Sequence, residues 1–316
     1  MHLCTLKFLQ LTSTLKAHLA LVGTNLFFAL NYNAIKFFTV NKIAGPFGLN
    51  FYRVFVSALL FWILFLFKPR KEVIKKKDLI RIAYCALTAI ALNQMLFIKG
   101  LEFTSPMHAS LLTLLSPLMI TLFASWVLRE KLTLLKGAGL FLALGGAFFL
   151  LRGKESYGGD NLVLGDSLII LSTLAYTTYF IIAKPLMEAY SPMMVTRMIF
   201  TFGLIMILPF CITEVRDFSL ISMNAKEWWL LLLICVPGTF LAYVFNLYGI
   251  KILNASLAGA YIYTQPLFTG IIAVLFMNEM MTADKLIATV LIFSGLYMVQ
   301  KKRVKKVDNP DPVTGF

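Results

Sequence analysis

Residues that usually carry enzyme chemistry are scarce in this chain. Its 316 residues include three histidines and four cysteines, and the cysteines are scattered without a CxxC pair. The sequence has no HExxH motif, no GxSxG turn, no Gly-rich phosphate loop and no paired carboxylates. These absences exclude the commonest metalloprotease, hydrolase and nucleotide-hydrolysing signatures. We therefore expect no enzyme activity, no bound metal and no cofactor.

Charge is also scarce, and acidic charge most of all. Only 14% of the residues are charged, 59% are hydrophobic, and the mean hydropathy is +0.81. A soluble domain of this length could not bury so much apolar surface, so we expect the lipid bilayer as solvent. The net charge of +14 does not indicate a nucleic-acid partner, because the basic residues cluster between apolar runs as membrane orientation signals do.

One long apolar segment occurs twice. The stretch SPLMITLFASWVLRE aligns without a gap on QPLFTGIIAVLFMNE, 149 positions later. The same shift pairs several further residues: Gly100 with Gly249, Ala109 with Ala258, Pro117 with Pro266, Glu130 with Glu279, Lys136 with Lys285, and Gly146 with Gly295. One register through two apolar segments indicates an internal repeat.

The apolar runs fit ten helices that cross a bilayer. They cover residues 18–38, 49–67, 79–98, 107–128, 132–151, 164–183, 193–212, 228–248, 256–277 and 286–299. We predict an all-α integral membrane protein with a cytoplasmic segment over 1–17, a first five-helix repeat over 18–152 and a loop over 153–163. A second five-helix repeat over 164–300 and a basic tail over 301–316 complete the chain.

The basic residues predict the orientation. They concentrate in the loop after the second run, in the loop after the fourth and in the tail. All three fall on one side if both termini are cytoplasmic, so we predict a multi-pass protein of the cell (inner) membrane. Five crossings per repeat is an odd number, so the second repeat is inverted. Inverted repeats are typical of secondary transporters, which bind substrate near the midplane between the repeats.

The repeats resemble EamA-type members of the drug/metabolite transporter superfamily. The first half carries GTNLFFALNYNAIKFF, LLSPLMITLFASWVLREKL and GAGLFLALGGAFFLL; the second carries LGDSLIILSTLAYTTYFIIAKPL, YTQPLFTGIIAVLFMNE and IFSGLYMV. The resemblance implies ten helices in two inverted repeats around a central cavity, and movement of small metabolites, often export. The second half departs from the first in one respect. Arg197 follows Pro192 by five residues, whereas Arg53 follows Pro46 by seven.

Several residues are candidates for a hinge or gate. Pro117 and Pro266 interrupt the helical hydrogen-bond ladder at hydrocarbon depth. Glu130 and Glu279 end their helices at equivalent positions and can brace a neighbouring helix end or base. An intramembrane arginine such as Arg197 usually faces a wet cavity or a partner, although snorkelling to the surface is the alternative. For Lys36, near the end of the first run, snorkelling is favoured.

Other polar side chains at hydrocarbon depth are candidates for solute binding. Such groups need partners in a bundle interior or in a wet space, so each could instead join two helices. The candidates are Asn31, Arg53, Asn93, Gln94, Thr113, Ser116, Tyr176, Tyr179, Tyr243, Asn246, Tyr263 and Gln265. Together they predict a polar cavity that hydrogen-bonds a zwitterionic or hydroxylated solute, and Arg53 favours one with a carboxylate.

We therefore expect a secondary transporter that moves small organic metabolites, amino acids among them, out of the cell by alternating access. No carboxylate lies clearly at mid-depth, Asp166 being the nearest, so a carboxylate proton relay has no support in the sequence. The alternatives are a non-catalytic scaffold or a lipid flippase-like subunit, and a membrane enzyme. A homodimer is left open.

Overall fold

The computed structural model describes residues 2–67, 73–128, 134–152, 161–218, 220–253 and 261–300, and within these ranges the regular structure is helical. The helices of the first repeat are α1 (His2–Val40), α2 (Pro46–Phe67), α3 (Lys76–Phe103), α4 (Pro106–Thr113 and Ser116–Leu128) and α5 (Leu134–Arg152). Those of the second are α6 (Leu162–Ala189), α7 (Pro192–Asp217), α8 (Ala225–Leu253), α9 (Gln265–Met277) and α10 (Ala283–Gln300).

Local sequence explains where these helices begin. Proline, which needs no hydrogen-bonded N–H in a first turn, is the first residue of α2, α4 and α7. Asn161 caps α6 by accepting from Leu164 N, and Asn224 forms a reciprocal capping box with Glu227 at the start of α8. α1 starts at His2, so the amino-terminal segment predicted over residues 1–17 is part of the first helix from residue 2 onward.

Helix irregularities confirm the repeat. α3 contains a π-helical turn over Leu87–Leu92, and α8 contains one over Val236–Leu241, which is the same place after a shift of 149. α4 breaks at Leu114 and Leu115, just before Ser116-Pro117. A 3-10 turn over Ile262–Thr264 likewise precedes Gln265-Pro266 at the start of α9. The two halves therefore share their departures from α-helical geometry as well as their residues.

The second repeat is inverted with respect to the first. α2 packs along α7, its equivalent. Arg197, near the start of α7, lies over the Trp62 and Phe65 rings near the end of α2. At the other end of the pair, the Glu214 carboxylate accepts from the backbone N–H of Phe47 and Gly48. Equivalent helices that run antiparallel require inverted repeats.

The remaining contacts follow the same two-fold pattern. α5 packs on α10, α1 packs on α8 and α9, and α6 packs correspondingly on α3 and α4. Each principal contact is thus between repeats, and exchanging the repeats leaves the pattern unchanged. The polar side chains along these contacts therefore lie between the two halves.

Apolar composition fits a membrane environment. Pro46–Phe67, Lys76–Phe103, Leu162–Ala189, Pro192–Asp217 and Ala225–Leu253 are each long and apolar enough to span a bilayer. Pro106–Ile120, Gly137–Leu150 and Ile262–Met277 are shorter apolar helices. Large apolar side chains such as Leu66, Phe141 and Phe276 are exposed on the outside. That all ten helices cross the membrane stays a prediction.

Glycine allows the close approach of α5 and α10. A Cβ on Gly139 would lie 2.6 Å from the Gly295 carbonyl oxygen, well inside van der Waals contact. A Cβ on Gly146 would lie 2.9 Å from side-chain atoms of Leu291 and Ile292. By contrast, a Cβ on Gly145 would have nothing within 4 Å. Gly139 and Gly146 are thus at the contact, where small residues let helices pack closely.

Gly139→Ala is expected to destabilise the protein, with Gly145→Ala as the matched control. The new methyl group at 139 must push the α10 backbone away, which costs about 1–3 kcal/mol. At 145 the same change only improves helix propensity, by about 0.5–1 kcal/mol. Thermal unfolding in detergent should rank the variants Gly145→Ala, wild type, Gly139→Ala. Equal midpoints for the two variants would contradict this packing.

Candidate functional site

Polar side chains from both repeats meet at the centre of the bundle. The Tyr32 phenol on α1 lies beside the side chains of Thr113 on α4 and Gln265 on α9, and it interacts electrostatically with Arg53 on α2. Arg53 also interacts with Tyr243 on α8, and Tyr243 lies beside Gln94 on α3. We call Tyr32, Arg53, Gln94, Thr113, Tyr176, Tyr243 and Gln265 the central polar cluster.

The central polar cluster lies on the pseudo-two-fold axis. Gln94 and Tyr243 are separated by the repeat shift of 149, each lies just after the π-helical turn of its helix, and the two side chains interact. Tyr32 and Tyr176, each in the first helix of its repeat, also interact with one another. Equivalent residues can touch only where the axis passes between them, which is where the repeats meet.

Arg53 carries a charge that the described part of the protein leaves unneutralised. Its side chain is buried, with 7% exposed. Its Nε has no hydrogen-bond partner, and within the described part of the chain no carboxylate pairs with it. Its neighbours are instead the phenols of Tyr32 and Tyr243 and the thiol of Cys235. A buried guanidinium without a counter-ion is costly, and an anionic ligand would remove that cost.

Two amides of the cluster have unused hydrogen-bonding capacity as well. Both Gln94 and Gln265 are buried, yet Gln94 Oε1 and Gln265 Nε2 have no partner among the described residues. Tyr32, Tyr176 and Tyr243 pack on the core or on other rings, and each keeps part of its surface accessible. Aromatic side chains that are packed yet partly accessible therefore lie close to these unmatched polar groups.

The hydroxyl groups on α4 are bound to their own helix. Thr113 donates to Ser110 O, and Ser116 donates to Thr113 O at 2.6 Å. Thr113 O is the carbonyl that Pro117, lacking an N–H, cannot satisfy, so Ser116 stabilises the break in α4. Thr113 and Ser116 therefore have only lone pairs to offer a solute. Pro117 and Pro266 each follow the break in their segment, as the hinge prediction requires.

Two of the predicted binding amides also join helices. Asn31 donates to Gly238 O at 2.6 Å, which holds α1 against the π-helical turn of α8. Asn93 donates to Ser172 O at 2.8 Å, which holds α3 against α6. Gly238 permits the first contact, because a Cβ there would lie 2.9 Å from the Asn31 side chain. Both amides act between repeats and stabilise the walls of the central polar cluster.

Three other predicted binding residues lie around the cluster. The ring of Tyr179 lies 5.7 Å from that of Tyr176, one turn earlier on α6. Asn246 is half-buried one turn beyond Tyr243 on α8. Tyr263 lies in the turn before α9 and packs near Phe293 of α10, with ring centroids 6.0 Å apart. Their contact with a solute stays a prediction.

Arg197 lies away from the central polar cluster. It is buried, and its guanidinium carbon is 3.7 Å from the centroid of the Phe65 ring and 4.6 Å from that of Trp62. The Trp62 indole N–H donates to Thr201 Oγ1, which fixes the ring one turn along α7. Aromatic faces partly replace the hydration of a guanidinium. These cation–π contacts therefore hold α7 against the end of α2.

Of the two glutamates predicted to brace helix ends, the structure describes one. Glu130 lies outside the described residues. Glu279 is buried, as is Lys285, and the Lys285 ammonium donates to Glu279 Oε1 at 2.8 Å and to Met280 O at 2.9 Å. The left-handed Asn278 turns the chain between α9 and α10 so that the pair can form. Glu279 therefore braces one loop of the second repeat.

Some polar contacts between helices were not foreseen from the sequence. Lys36 does not snorkel: it is fully buried and donates to the Leu101 and Glu102 carbonyls at the end of α3. Glu214 caps the start of α2, where a Cβ on Gly48 would lie 3.0 Å from the Glu214 carbonyl oxygen. Tyr32 was also missed. Its place between Asn31 and Asn33 is the one local indication that its side chain belongs to a polar face.

Comparisons with known proteins agree with this architecture. The model of the EamA-like transporter family matches twice, at residues 15–152 and 163–300. An uncharacterized transporter of Archaeoglobus fulgidus is 25% identical over 294 residues, covering 91% of this chain and 98% of the relative. The uncharacterized transporter YetK of Bacillus subtilis is 22% identical, covering 81% of this chain and 78% of the relative. WAT1-related protein At3g53210 of Arabidopsis thaliana is 24% identical, covering 90% and 85%.

A solved structure has the same fold. Its title reads only "Crystal structure of protein", and it superposes with a TM-score of 0.60 at 16% sequence identity, covering 89% of this chain and 96% of its own. At that identity the likeness concerns the fold alone.

Glu279→Gln is expected to destabilise the protein strongly, with Glu102→Gln as the matched control. The first change leaves the buried Lys285 ammonium without its counter-ion, at a cost of about 3 kcal/mol or more. Glu102 forms an ion pair with Lys99 at 2.6 Å, but both side chains are about one third exposed, so its loss should cost below about 1 kcal/mol. Thermal unfolding in detergent measures both, and equal losses would contradict the bracing role of Glu279.

Proposed function

The chain belongs to the EamA-like transporter family, and on that premise we propose that it exports small organic solutes bearing a carboxylate across the cell membrane by alternating access. The observation that carries the proposal is the unneutralised guanidinium of Arg53 within the central polar cluster. The cluster lies where the repeats meet, which is where secondary transporters of inverted-repeat architecture bind substrate.

A carboxylate is the group that Arg53 favours most. A guanidinium forms strong, charge-assisted and often bidentate hydrogen bonds with carboxylates. The Tyr32 and Tyr243 hydroxyls lie beside it and can donate to the same anion. A solute carboxylate there would neutralise a buried charge that the described protein residues leave unpaired. Binding energy is thus available to an anionic solute and is denied to a cationic one.

The other groups of the cluster favour a zwitterion. Gln94 Oε1 is an acceptor without a donor, and the exposed parts of Tyr32, Tyr176 and Tyr243 present electron-rich ring faces. Both features suit an ammonium group, the first by hydrogen bonding and the second by cation–π attraction. A neutral L-α-amino acid carries an ammonium and a carboxylate on one carbon, so it matches both sets of groups.

Alternating access is supported by the contacts on the two-fold axis. Polar contacts hold α2 and α7 together at both ends of the pair. At one end Glu214 accepts hydrogen bonds from the backbone of Phe47 and Gly48. At the other end Arg197 stacks on Trp62 and Phe65. If one of these contacts breaks while the other is kept, the central polar cluster opens to one side of the membrane only. In the proposed orientation, with both termini cytoplasmic, Glu214 is at the outer end and Arg197 at the inner end. Export itself is the direction that the family resemblance implies.

Arg53→Ala is expected to abolish solute transport while the protein still inserts. Loss of a charge-assisted hydrogen bond costs about 1.5–3 kcal/mol, or about 10- to 150-fold in affinity. Uptake into proteoliposomes is measured with three radiolabelled sets: neutral L-amino acids, the amines lacking the carboxylate, and the acids lacking the amine. Wild type should transport the amino acids best, the acids more weakly and the amines least.

Arg197→Ala is the matched control, since it removes an equally buried arginine outside the central polar cluster. It should change the transport rate without changing the order of preference among the three sets. Wild-type rates in Arg53→Ala, or equal transport of amines and amino acids by the wild type, would contradict the assignment. Transport of none of the sets by any variant would favour the scaffold alternative.

A further inference from the structure

A buried histidine–aspartate pair joins the two repeats away from the central polar cluster. Asp166, in the second turn of α6, is fully buried and accepts a hydrogen bond from the Thr104 hydroxyl. Its other carboxylate oxygen lies 3.1 Å from His108 Nδ1, and His108 is 1% exposed. Thr104 and His108 belong to the first repeat and Asp166 to the second, so the pair bridges the halves.

The local sequence positions these three side chains. Thr104 ends α3 with an extended backbone, and Ser105 caps α4 by accepting from His108 N. This tight turn directs Thr104 and His108 to the same side. Gly100 and Gly165 let the α3 and α6 backbones come close enough, because a Cβ on Gly165 would lie 2.8 Å from Thr104 N. The pair is therefore built into the contact between repeats.

Other charged groups on the neighbouring helices have partners of their own. On α3, Lys99 pairs with Glu102. On α1, the Lys36 ammonium donates to the Leu101 and Glu102 carbonyls. On α10, Lys285 pairs with Glu279, with Asp284 beside it in sequence. Within the described residues, α4 and α9 carry no aspartate, glutamate, lysine or arginine, and on α6 the next charged residue after Asp166 is Lys184, about 27 Å along the helix.

We propose that the His108–Asp166 pair binds the proton that drives export, and this rests on the proposed function. Histidine gains and loses a proton at physiological pH. With the proton bound, the imidazolium and the carboxylate attract one another and hold the repeats together. Without it, a single negative charge remains buried between them, which weakens the contact. One proton is taken up at the imidazole from outside and is released from it to the cytoplasm through the inward-open central polar cluster, and no covalent bond between heavy atoms changes.

The helices of the pair connect it to the solute site. α4 carries His108 and, about 7 Å further along at 1.5 Å per residue, Thr113 beside Tyr32. α6 carries both Asp166 and Tyr176. In the proposed orientation the pair lies toward the outer end. Protonation from outside closes that end and returns the carrier inward, whereas a solute-loaded carrier without the proton opens outward. Proton entry is thereby exchanged for solute exit.

Proteoliposomes test this with an equimolar mixture of radiolabelled neutral L-α-amino acids as the probe. Exchange of label for unlabelled amino acid, without a pH gradient, reports solute transport. Accumulation under an imposed pH gradient of about one unit reports coupling, and one-for-one exchange supports at most about tenfold accumulation. Wild type should show both. Asp166→Asn should retain exchange and lose the accumulation, and the Glu102→Gln control should retain both.

The outcomes separate the two proposals. Absence of exchange in the wild type would overturn the proposed function itself. Exchange without gradient-driven accumulation in the wild type would overturn the proton site alone, as would accumulation that survives Asp166→Asn. His108→Gln provides the second variant if Asp166→Asn does not insert. It keeps a polar group at the contact but holds no proton, so accumulation surviving in it would equally overturn the proposal.

Discussion

Burial of one unneutralised arginine between the two halves of the molecule is the constraint on which the rest of the structure depends. Arg53 has no carboxylate partner among the described residues, whereas Lys285 has a buried one and Lys36 is bound to helix-end carbonyls. The other buried arginine, Arg197, stacks on two aromatic rings, whereas Arg53 lies beside phenols. The cost of the charge falls when an anion enters, so the same feature that weakens the protein favours binding.

The two-fold relation of the repeats makes this arrangement possible, and the arginines show where the two-fold symmetry is broken. Gln94 and Tyr243 are an equivalent pair that meets on the axis. Arg53 and Arg197 depart from that equivalence, because one faces the central polar cluster and the other stacks on two rings. The scaffold is thus symmetric in its backbone, down to the π-helical turns, and asymmetric in its charge. A symmetric scaffold lets two faces open in turn, while a single central charge defines one binding orientation.

Much of the fold could be predicted from the sequence because its causes are local. The repeat follows from equal residues at a constant shift, the helix breaks from Pro117 and Pro266, and the close packing of α5 from its small residues. The odd number of apolar runs per repeat predicted the inversion that α2 and α7 display. The family resemblance was also confirmed by the match of both repeats.

Side-chain partners could not be predicted in the same way, because they depend on how helices far apart in the sequence come together. Lys36 was expected to snorkel, yet it binds the end of α3. Asp166 was the acidic residue nearest to mid-depth, but its pairing with His108 depends on the glycine contact between α3 and α6. Asn31 and Asn93, which are predicted to bind solute, also donate to neighbouring helices, and the sequence did not indicate those partners. Apolar periodicity indicates which side chains are buried, but it does not indicate which residues they contact.

A structure of the protein with a bound neutral L-amino acid, determined by cryo-electron microscopy, tests the central claim most directly. The solute carboxylate should lie within about 3 Å of the Arg53 guanidinium, between the Tyr32 and Tyr243 hydroxyls. Density for the solute elsewhere in the bundle, with Arg53 still without an anionic partner, would contradict it.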